Sequence, residues 1–176
     1  MSDIAKKIES TGAIKTGKFK LSDGSLTDYY IDKYFFETNP EVLSDIADEI
    51  SGMLSQEDID IVAGPALGAV PLVTAVSLKM EIPSAFVRKD QNHYAKQARI
   101  EGTIKEGQKV AVLEDVTTRG NGIIETADLI RDVGGVPERL ITVVDRNASA
   151  VENANRSGYK LEYLTRIGEN LDVETV

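Results

Sequence analysis

The sequence predicts an α/β fold with a central parallel sheet flanked by helices. Short apolar segments typical of buried strands alternate along the chain with longer segments that carry apolar residues at helical spacing. The length of 176 residues is enough for one well-buried domain and short for two. We therefore expect a single domain over residues 1–176, with helices on both faces of one sheet.

A small β-containing element is predicted before this alternation begins. Residues 4–10 have the spacing of a short amphipathic helix. Residues 19–24 contain a turn signal, and residues 29–32 have the composition of a strand. We expect residues 1–40 to form this N-terminal part and residues 41–176 to form the α/β core.

The core pattern starts with a helix. Pro40 near its start and apolar residues at helical spacing predict a helix that extends to Leu54. The same criteria then predict a strand, a helix, two strands, a helix and a strand. In that order, these segments are residues 59–63, 68–79, 84–87, 110–113, 123–133 and 139–144.

Polar or glycine-rich residues follow each of the predicted strands of the core. The carboxyl ends of parallel strands meet at one edge of a sheet, and α/β proteins bind their ligands outside that edge. Any one of these segments alone is an ordinary loop, but their convergence predicts a binding site. The residues concerned are Gly64–Gly68, Arg88 and Lys89, Glu114 and Asp115, and Asp145 and Arg146.

The richest of these strand ends is the one that carries Glu114 and Asp115. It leads into a turn of hydroxyl and glycine residues, 116–122, before a predicted helix. Unpaired amides and the dipole at a helix N-terminus favour a phosphate, and Thr117 and Thr118 can add hydroxyl donors. The carboxylates cannot bind phosphate, but they can accept hydrogen bonds from sugar hydroxyls or face a bridging divalent cation. A sugar phosphate fits this combination; a strand followed by an ordinary capped loop is the alternative.

Residues 89–99 contain almost nothing apolar, although they lie between two predicted buried strands. Long polar connections in compact domains are usually lids or binding loops. A basic flap over an anionic ligand fits this segment. Plain solvent exposure is the alternative, and His93, the only histidine, is on general grounds more often exposed than catalytic.

Composition excludes several classes of protein. With 20 Lys and Arg against 29 Asp and Glu, the net charge is −9, which argues against a nucleic-acid partner. The absence of cysteine excludes a disulfide framework and a thiolate metal site. The N-terminus has no signal-peptide core, and no apolar run approaches ~20 residues, so we expect a cytoplasmic protein without a membrane partner.

Several of these segments together resemble the type I phosphoribosyltransferase family. The family hallmark is a strand, two acidic residues and a loop rich in threonine and glycine, and residues 112–120 resemble it. Residues 19–32 are similar to the N-terminal hood of the family's orotate-specific members rather than its purine-specific ones. Further similar segments follow in the same order: residues 64–72, 87–89, 99–102 and 143–146.

The resemblance implies a Rossmann-like fold and an enzyme, a glycosyltransferase that transfers a pentosyl group. The 5-phosphoribosyl group of phosphoribosyl pyrophosphate (PRPP) would pass to orotate, giving orotidine 5′-monophosphate and pyrophosphate in pyrimidine biosynthesis. Mg²⁺ would be required and held mainly by substrate and water, with no dedicated protein ligands. A homodimer is also implied, because in the family the flap reaches the neighbouring subunit's site.

The resemblance also implies roles for individual residues. Glu114 and Asp115 would hold the ribose hydroxyls, and Arg146 with Thr118 would bind orotate. The implied catalytic residues are Glu114, Asp115, Lys89 and Lys96. The residues implied to bind PRPP are Arg88, Lys89, His93, Tyr94, Glu114, Asp115, Val116, Thr117, Thr118, Arg119, Gly120, Asn121 and Gly122.

The chain departs from the family pattern in two places. In the flap, Asn92 stands where the family has a lysine, and either Tyr94 or, after a one-residue shift, His93 takes the aromatic or histidine position. In the phosphate loop, Arg119 and Asn121 replace small and hydroxyl residues. Arg119 adds a phosphate contact or crowds the loop, and sequence does not choose between the two.

The flap departure supports a second hypothesis, a catalytically weak or silent relative that binds PRPP or a nucleotide and regulates another process. A purine phosphoribosyltransferase is disfavoured by the hood segment and by Asp145 and Arg146. A generic nucleotide-binding α/β domain does not explain the polar flap.

We expect Lys96 to replace the missing flap lysine, because it lies close by on the same loop. Lys96→Ala should then lower kcat substantially, since a cation that stabilises the leaving pyrophosphate is lost. Steady-state kinetics test this, and unchanged kinetics would remove the idea.

Overall fold

A computed structural model of the chain describes residues 3–20, 24, 26–88 and 99–173. Within these residues the helices alternate with the strands through most of the chain. The helices are α1 (Asp3–Ser10), α2 (Tyr34–Glu37), α3 (Pro40–Leu54), α4 (Val70–Met80), α5 (Asn121–Asp132) and α6 (Ser149–Arg156). The strands are β1 (Ile14–Lys20), β2 (Leu26–Ile31), β3 (Ile61–Ala66), β4 (Ser84–Arg88), β5 (Ile100–Glu101), β6 (Lys109–Thr117), β7 (Val136–Asp145) and β8 (Leu161–Arg166).

The main sheet has the strand order β5-β4-β3-β6-β7-β8. Its strands pair in parallel, except that the two-residue β5 pairs antiparallel with β4. A separate antiparallel hairpin, β1-β2, stands apart from it. The predicted α/β fold with a central parallel sheet is therefore confirmed.

Helices cover both faces of the sheet, as predicted. On one face α1, α3 and α4 pack through buried aliphatic residues against the odd-numbered side chains of β6, such as Leu113. On the other face α5 and α6 pack against the even-numbered ones, such as Val112. Because side chains alternate along a strand, β6 is buried on both sides, which explains its continuous apolar run.

Local sequence features explain the start of α3 and the close approach of β3 to β6. The side chain of Asn39 caps α3 by accepting hydrogen bonds from the amides of Glu41 and Val42, at 3.1 and 3.2 Å. At Gly64 in β3, an added Cβ would lie 2.5 Å from the carbonyl oxygen of Leu113. Glycine at this position therefore allows β3 and β6 to approach closely.

The structure differs from the sequence-based prediction at the end of β6. The strand was expected to stop at Leu113, but it continues to Thr117 because pairing with β7 extends that far. Glu114 and Asp115 therefore lie within the strand and not in the turn after it. The elements that the sequence did not predict are β1, α2, β5, α6 and β8.

The N-terminal forty residues divide between two environments. Helix α1 buries Ile4 and Ile8 in the same core cluster as α3 and α4, so it belongs to the α/β body. The β1-β2 hairpin is mostly exposed and is the part that stands over the sheet edge. In the part of the chain that the structure describes, no helix has the length and apolarity that crossing a membrane requires.

Candidate active site

Three polar residues from neighbouring strands lie side by side at the carboxyl edge of the sheet. The register pairs Thr117 of β6 with Asp145 of β7, and Asp145 with Arg166 of β8. The amide of Arg146 donates to the carbonyl of Thr117 at 2.9 Å, which ties the loop after β7 to the end of β6. The predicted convergence of strand ends is therefore present for β6 and β7.

Asp115 forms an ion pair with Lys33, a residue that no local sequence pattern marks as part of a site. Lys33 lies just before α2, and its ammonium donates to Oδ2 of Asp115. Burial opposes the charged ammonium, but the hydrogen bond and charge of Asp115 outweigh it and raise the pKa of Lys33. The second oxygen, Oδ1, accepts from the amide of Val116 at 2.6 Å.

Glu37, at the end of α2, is the second residue that sequence reasoning missed. It is only 3% exposed, and neither carboxylate oxygen has a hydrogen-bond partner among the described residues. Burial raises the pKa of Glu37 to about 8, and the negative charge of Asp115 adds to the shift against the opposing charge of Lys33. Glu37 is therefore largely protonated at neutral pH.

Glu114 and Asp115 are adjacent in sequence but belong to opposite faces of β6. Asp115 lies on the face of α3 and α4, whereas Glu114 follows the even-numbered residues that face α5 and α6. Each is 6% exposed. A ligand bound at the end of β6 would therefore meet the two carboxylates from different sides of the strand.

The turn after β6 is held by its own hydrogen bonds. Oγ1 of Thr117 accepts a hydrogen bond from the amide of Gly120 at 3.0 Å, which stabilises the turn. Gly120 adopts a φ of 75°, and a Cβ there would lie 3.2 Å from the carbonyl oxygen of Ala150. Glycine is favoured on both counts. The turn was predicted to hold phosphate through its amides, and the amides of Val116 and Gly120 already donate to side chains of the protein.

Helix α5 begins directly after this turn. The amides of its first residues, Asn121 and Gly122, lack acceptors within the helix because of their position, which suits an anion. The side chain of Arg119 is exposed, and its carbonyl accepts from Nδ2 of Asn153 at 2.9 Å. Val116 and Thr118 are half-buried. The helix N-terminus therefore follows the strand end that carries the carboxylates, and anion binding there stays a prediction.

Arg146 extends from the sheet edge to the hairpin. Its guanidinium lies 4.6 Å from the ring centre of Tyr29, and its Nη2 donates to the carbonyl of Tyr29 and the hydroxyl of Thr27, each at 3.4 Å. Its Nε is buried and has no partner among the described residues. Arg146 thus joins the hairpin to the site and keeps a donor that a ligand could use.

Asp145 is fully buried and pairs with Arg166, not with its neighbour Arg146. Nε and Nη2 of Arg166 lie 2.9 and 2.8 Å from Oδ2, and the amide of Asn147 donates to Oδ1 at 3.1 Å. Burial raises the pKa of Asp145, against the opposing effect of Arg166. These bonds hold the backbone on both sides of Arg146 and so set its direction.

The flap lies almost wholly outside the described residues, and with it Lys89, His93, Tyr94 and Lys96. At its base, Arg88 is exposed and lies 3.3 Å from Oε1 of Glu101. Arg99, at the other end, donates to the carbonyl of Arg88 at 3.1 Å and to Glu125 at 2.7 Å. The two ends of the flap therefore meet at the strand end of β4.

The site combines a buried carboxylate, a helix N-terminus and a guanidinium within one edge. Such a set suits a ligand that carries hydroxyl groups, a phosphate and a planar anionic group. Among the described residues, no cluster of three or more His, Cys, Asp and Glu could hold a metal ion by itself.

The chain is similar in sequence and in fold to known proteins. Residues 36–170 match the family model described as a phosphoribosyl transferase domain. The orotate phosphoribosyltransferase of Natronomonas pharaonis is 37% identical over 96% of this chain and 96% of its own length. The solved structure of the Aeropyrum pernix orotate phosphoribosyltransferase has a TM-score of 0.83 at 27% identity, over 93% of each chain. The Mycobacterium tuberculosis enzyme, solved with PRPP, has a TM-score of 0.75 at 28% identity and covers 94% of this chain and 96% of its own.

The ionisation of Glu37 should make folding stability depend on pH. Its folded-state pKa of about 8 lies above the ordinary value of 4.5, so the favourable contribution of the protonated form is complete below 4.5 and is lost as pH rises to about 8. Relative to Glu37→Gln, the wild type should lose about 1–4 kcal/mol between pH 5 and pH 9. Urea unfolding of both proteins at these pH values measures the difference.

The matched control is Glu41→Gln, at an exposed position on α3. It should track the wild type at both pH values. Identical pH dependence in the wild type and Glu37→Gln would contradict the raised pKa of Glu37.

Proposed function

This chain belongs to the phosphoribosyltransferase family, and we infer from its relatives and its site that it is an orotate phosphoribosyltransferase. It transfers the 5-phosphoribosyl group of PRPP to orotate and yields orotidine 5′-monophosphate and pyrophosphate. The observation that carries this function is the meeting of Asp115, the N-terminus of α5 and Arg146 at one sheet edge. Curated relatives at 35–40% identity are named as this enzyme, and the comparisons give the silent-regulator alternative no support.

The reaction needs charge stabilisation more than a strong base. The bond between C1 and the pyrophosphate oxygen breaks, its electron pair leaves with pyrophosphate, and N1 of orotate, after losing its proton, bonds to C1. C1 is positively charged in the transition state, so nearby carboxylates lower its energy. We assign this role to Asp115 and Glu114, which would also accept hydrogen bonds from the ribose hydroxyls.

The turn between β6 and α5 would hold the 5′-phosphate. Its support is the helix N-terminus at Asn121 and Gly122, together with the hydroxyl of Thr118 at the turn. Thr117 has a different role in this proposal, because its hydroxyl holds the turn through the amide of Gly120. Fixing the turn in advance lowers the cost of placing C1 next to the carboxylates.

Arg146 would recognise orotate. A guanidinium is planar and offers several donors in a fixed arrangement, which suits the carboxylate and carbonyl groups of an anionic heterocycle. Among the described residues the buried Nε of Arg146 has no acceptor, which supports this role, because a buried donor without an acceptor is costly and a ligand would supply one. Thr118 would contact the base from the other side of the turn.

Mg²⁺ is part of the same proposal. Mg²⁺ keeps several water ligands and usually binds through substrate phosphates with one or two carboxylates. Bound with PRPP, the ion would neutralise pyrophosphate charge, and substrate and water would supply most of its ligands. A cytoplasmic location is proposed as well, because the composition is that of an ordinary soluble enzyme.

We propose that the enzyme acts as a homodimer in which each flap serves the neighbouring site. An exposed apolar face supports dimerisation. It contains Phe35, 44% exposed, and Leu78, 75% exposed, on either side of Pro40 at the start of α3. Exposed apolar patches of this kind commonly mark contacts between subunits.

The first test is turnover of orotate with PRPP and Mg²⁺, followed by the loss of orotate absorbance. Arg146→Ala should raise the KM for orotate about 10- to 100-fold, because a charge-assisted hydrogen bond is lost. The matched control is Arg131→Ala, which removes another arginine stacked on a tyrosine, Tyr159, far along α5. Absence of turnover by the wild type would overturn the proposed function, and equal effects of the two variants would overturn the role of Arg146.

The shared flap is tested by mixing two inactive variants, Lys89→Ala and Asp115→Asn. A mixed dimer contains one site with an intact Asp115 and an intact flap from its partner. After exchange of subunits, activity should recover to about one quarter of the wild-type value, because half of the dimers are mixed and each has one good site. No recovery, in a mixture shown to exchange, would mean that the flap serves its own subunit's site.

A further inference from the structure

Lys33 and Glu37 lie on the same side of α2. The amide of Glu37 donates to the carbonyl of Lys33 at 2.9 Å, which closes one helical turn between them. Side chains four residues apart on a helix are neighbours, and opposite charges at this spacing attract each other. Here, however, the lysine is paired with Asp115 and the glutamate is not paired with it.

The neighbouring loop restricts where the Lys33 ammonium can lie. At Gly68, an added Cβ would collide with the Lys33 ammonium and would lie 2.6 Å from Oδ2 of Asp115. The backbone after β3 therefore packs directly against this ion pair. Only 25% of the Lys33 side chain is exposed, so the protein surrounds most of it.

Nothing in the described structure offsets the cost of burying the Glu37 carboxyl group. A buried carboxyl without a hydrogen-bond partner is costly, and such groups in native proteins usually have a function or a missing partner. The charged groups that act on it are Asp115 on β6 and Lys33 on its own helix. Of these, only Lys33 has the charge to pair with an ionised Glu37.

The proposed reaction makes the ion pair between Lys33 and Asp115 unfavourable once PRPP is bound. Oδ1 of Asp115 already accepts from Val116, and Oδ2 accepts from Lys33, so ribose hydroxyls must compete for the remaining lone pairs. An ammonium beside Asp115 would also repel the positive charge that develops at C1.

We propose that Lys33 is a positioning residue with two alternative partners: Asp115 in the free enzyme and Glu37 when the ribose hydroxyls occupy Asp115. The proposal rests on the function proposed above and assigns roles to two residues that the family resemblance did not point to. Glu37 acts only through Lys33 and does not touch the substrate. Pairing with Lys33 requires Glu37 to be ionised, so its proton passes to the solvent when PRPP binds.

The test is calorimetric titration with PRPP and Mg²⁺ at pH 7. Repeating the titration in buffers of different ionisation enthalpy gives the number of protons released as well as the affinity for PRPP. Glu37→Gln should weaken PRPP binding about tenfold and should release about one proton less than the wild type. In a Lys33→Met background, Glu37→Gln should change neither quantity, because the residue through which Glu37 acts is gone. Lys33→Arg should restore the dependence on Glu37.

The matched control is Lys7→Met, which removes another lysine paired with an aspartate, Asp45, at 2.6 Å between α1 and α3. It should bind PRPP like the wild type, and thermal unfolding should show that every variant is folded. If Glu37→Gln binds PRPP with wild-type affinity and proton release, or has the same effect with and without Lys33, the inference is overturned. Turnover by the wild type is measured in parallel. PRPP binding without turnover would overturn the proposed function alone. Absence of PRPP binding would overturn both the proposed function and the role of Lys33.

Discussion

The parallel pairing of β6 with β3 and β7 is the constraint on which the rest of the site depends. β6 is buried on both faces and hydrogen-bonded on both sides, so its position admits little adjustment. Its last residues, Asp115 and Thr117, are consequently held at fixed places along the sheet edge. The turn, the helix N-terminus of α5 and the loop of Arg146 are all built outward from this strand.

The second organising feature is the distribution of buried charge. Two buried carboxylates, Asp115 and Asp145, each have a cation drawn from another element, Lys33 and Arg166. Such pairs recover the cost of burying a charge only when geometry is good, so they are weak evidence for stability and better evidence for positioning. Asp145 orients the loop that carries Arg146, and Lys33 brings α2 to the carboxylate at the centre of the site. Glu37 stands out because the described structure supplies no such partner.

The hairpin connects the acceptor side of the site to the sheet. Strand β2 meets Arg146 through the ring of Tyr29 and the hydroxyl of Thr27, and α2 follows it directly with Lys33. The hairpin's own core is small, since most of β1 and β2 is exposed. Its position depends on these polar contacts with the sheet edge together with the burial of Ile31 in the main core.

The sequence by itself determined the α/β class, the order of the main strands and helices, and the edge at which the site lies. These follow from local signals: apolar runs in strands buried on both faces, helical spacing in α3 and α5, and polar residues at strand ends. The elements that were not predicted from the sequence lack these local signals. The buried face of α6 consists of Ala150 and Ala154, α2 is a single turn, and β1 is exposed, so burial leaves little imprint on their sequences. Only the tertiary structure decided that β6 continues through Glu114 and Asp115, because the extension depends on hydrogen bonds to β7. The tertiary structure also decided two ion pairs: Lys33 pairs with Asp115, 82 residues away in sequence, and Asp145 pairs with Arg166 instead of the adjacent Arg146. Ion pairs between distant elements depend on packing and leave no local pattern in the sequence.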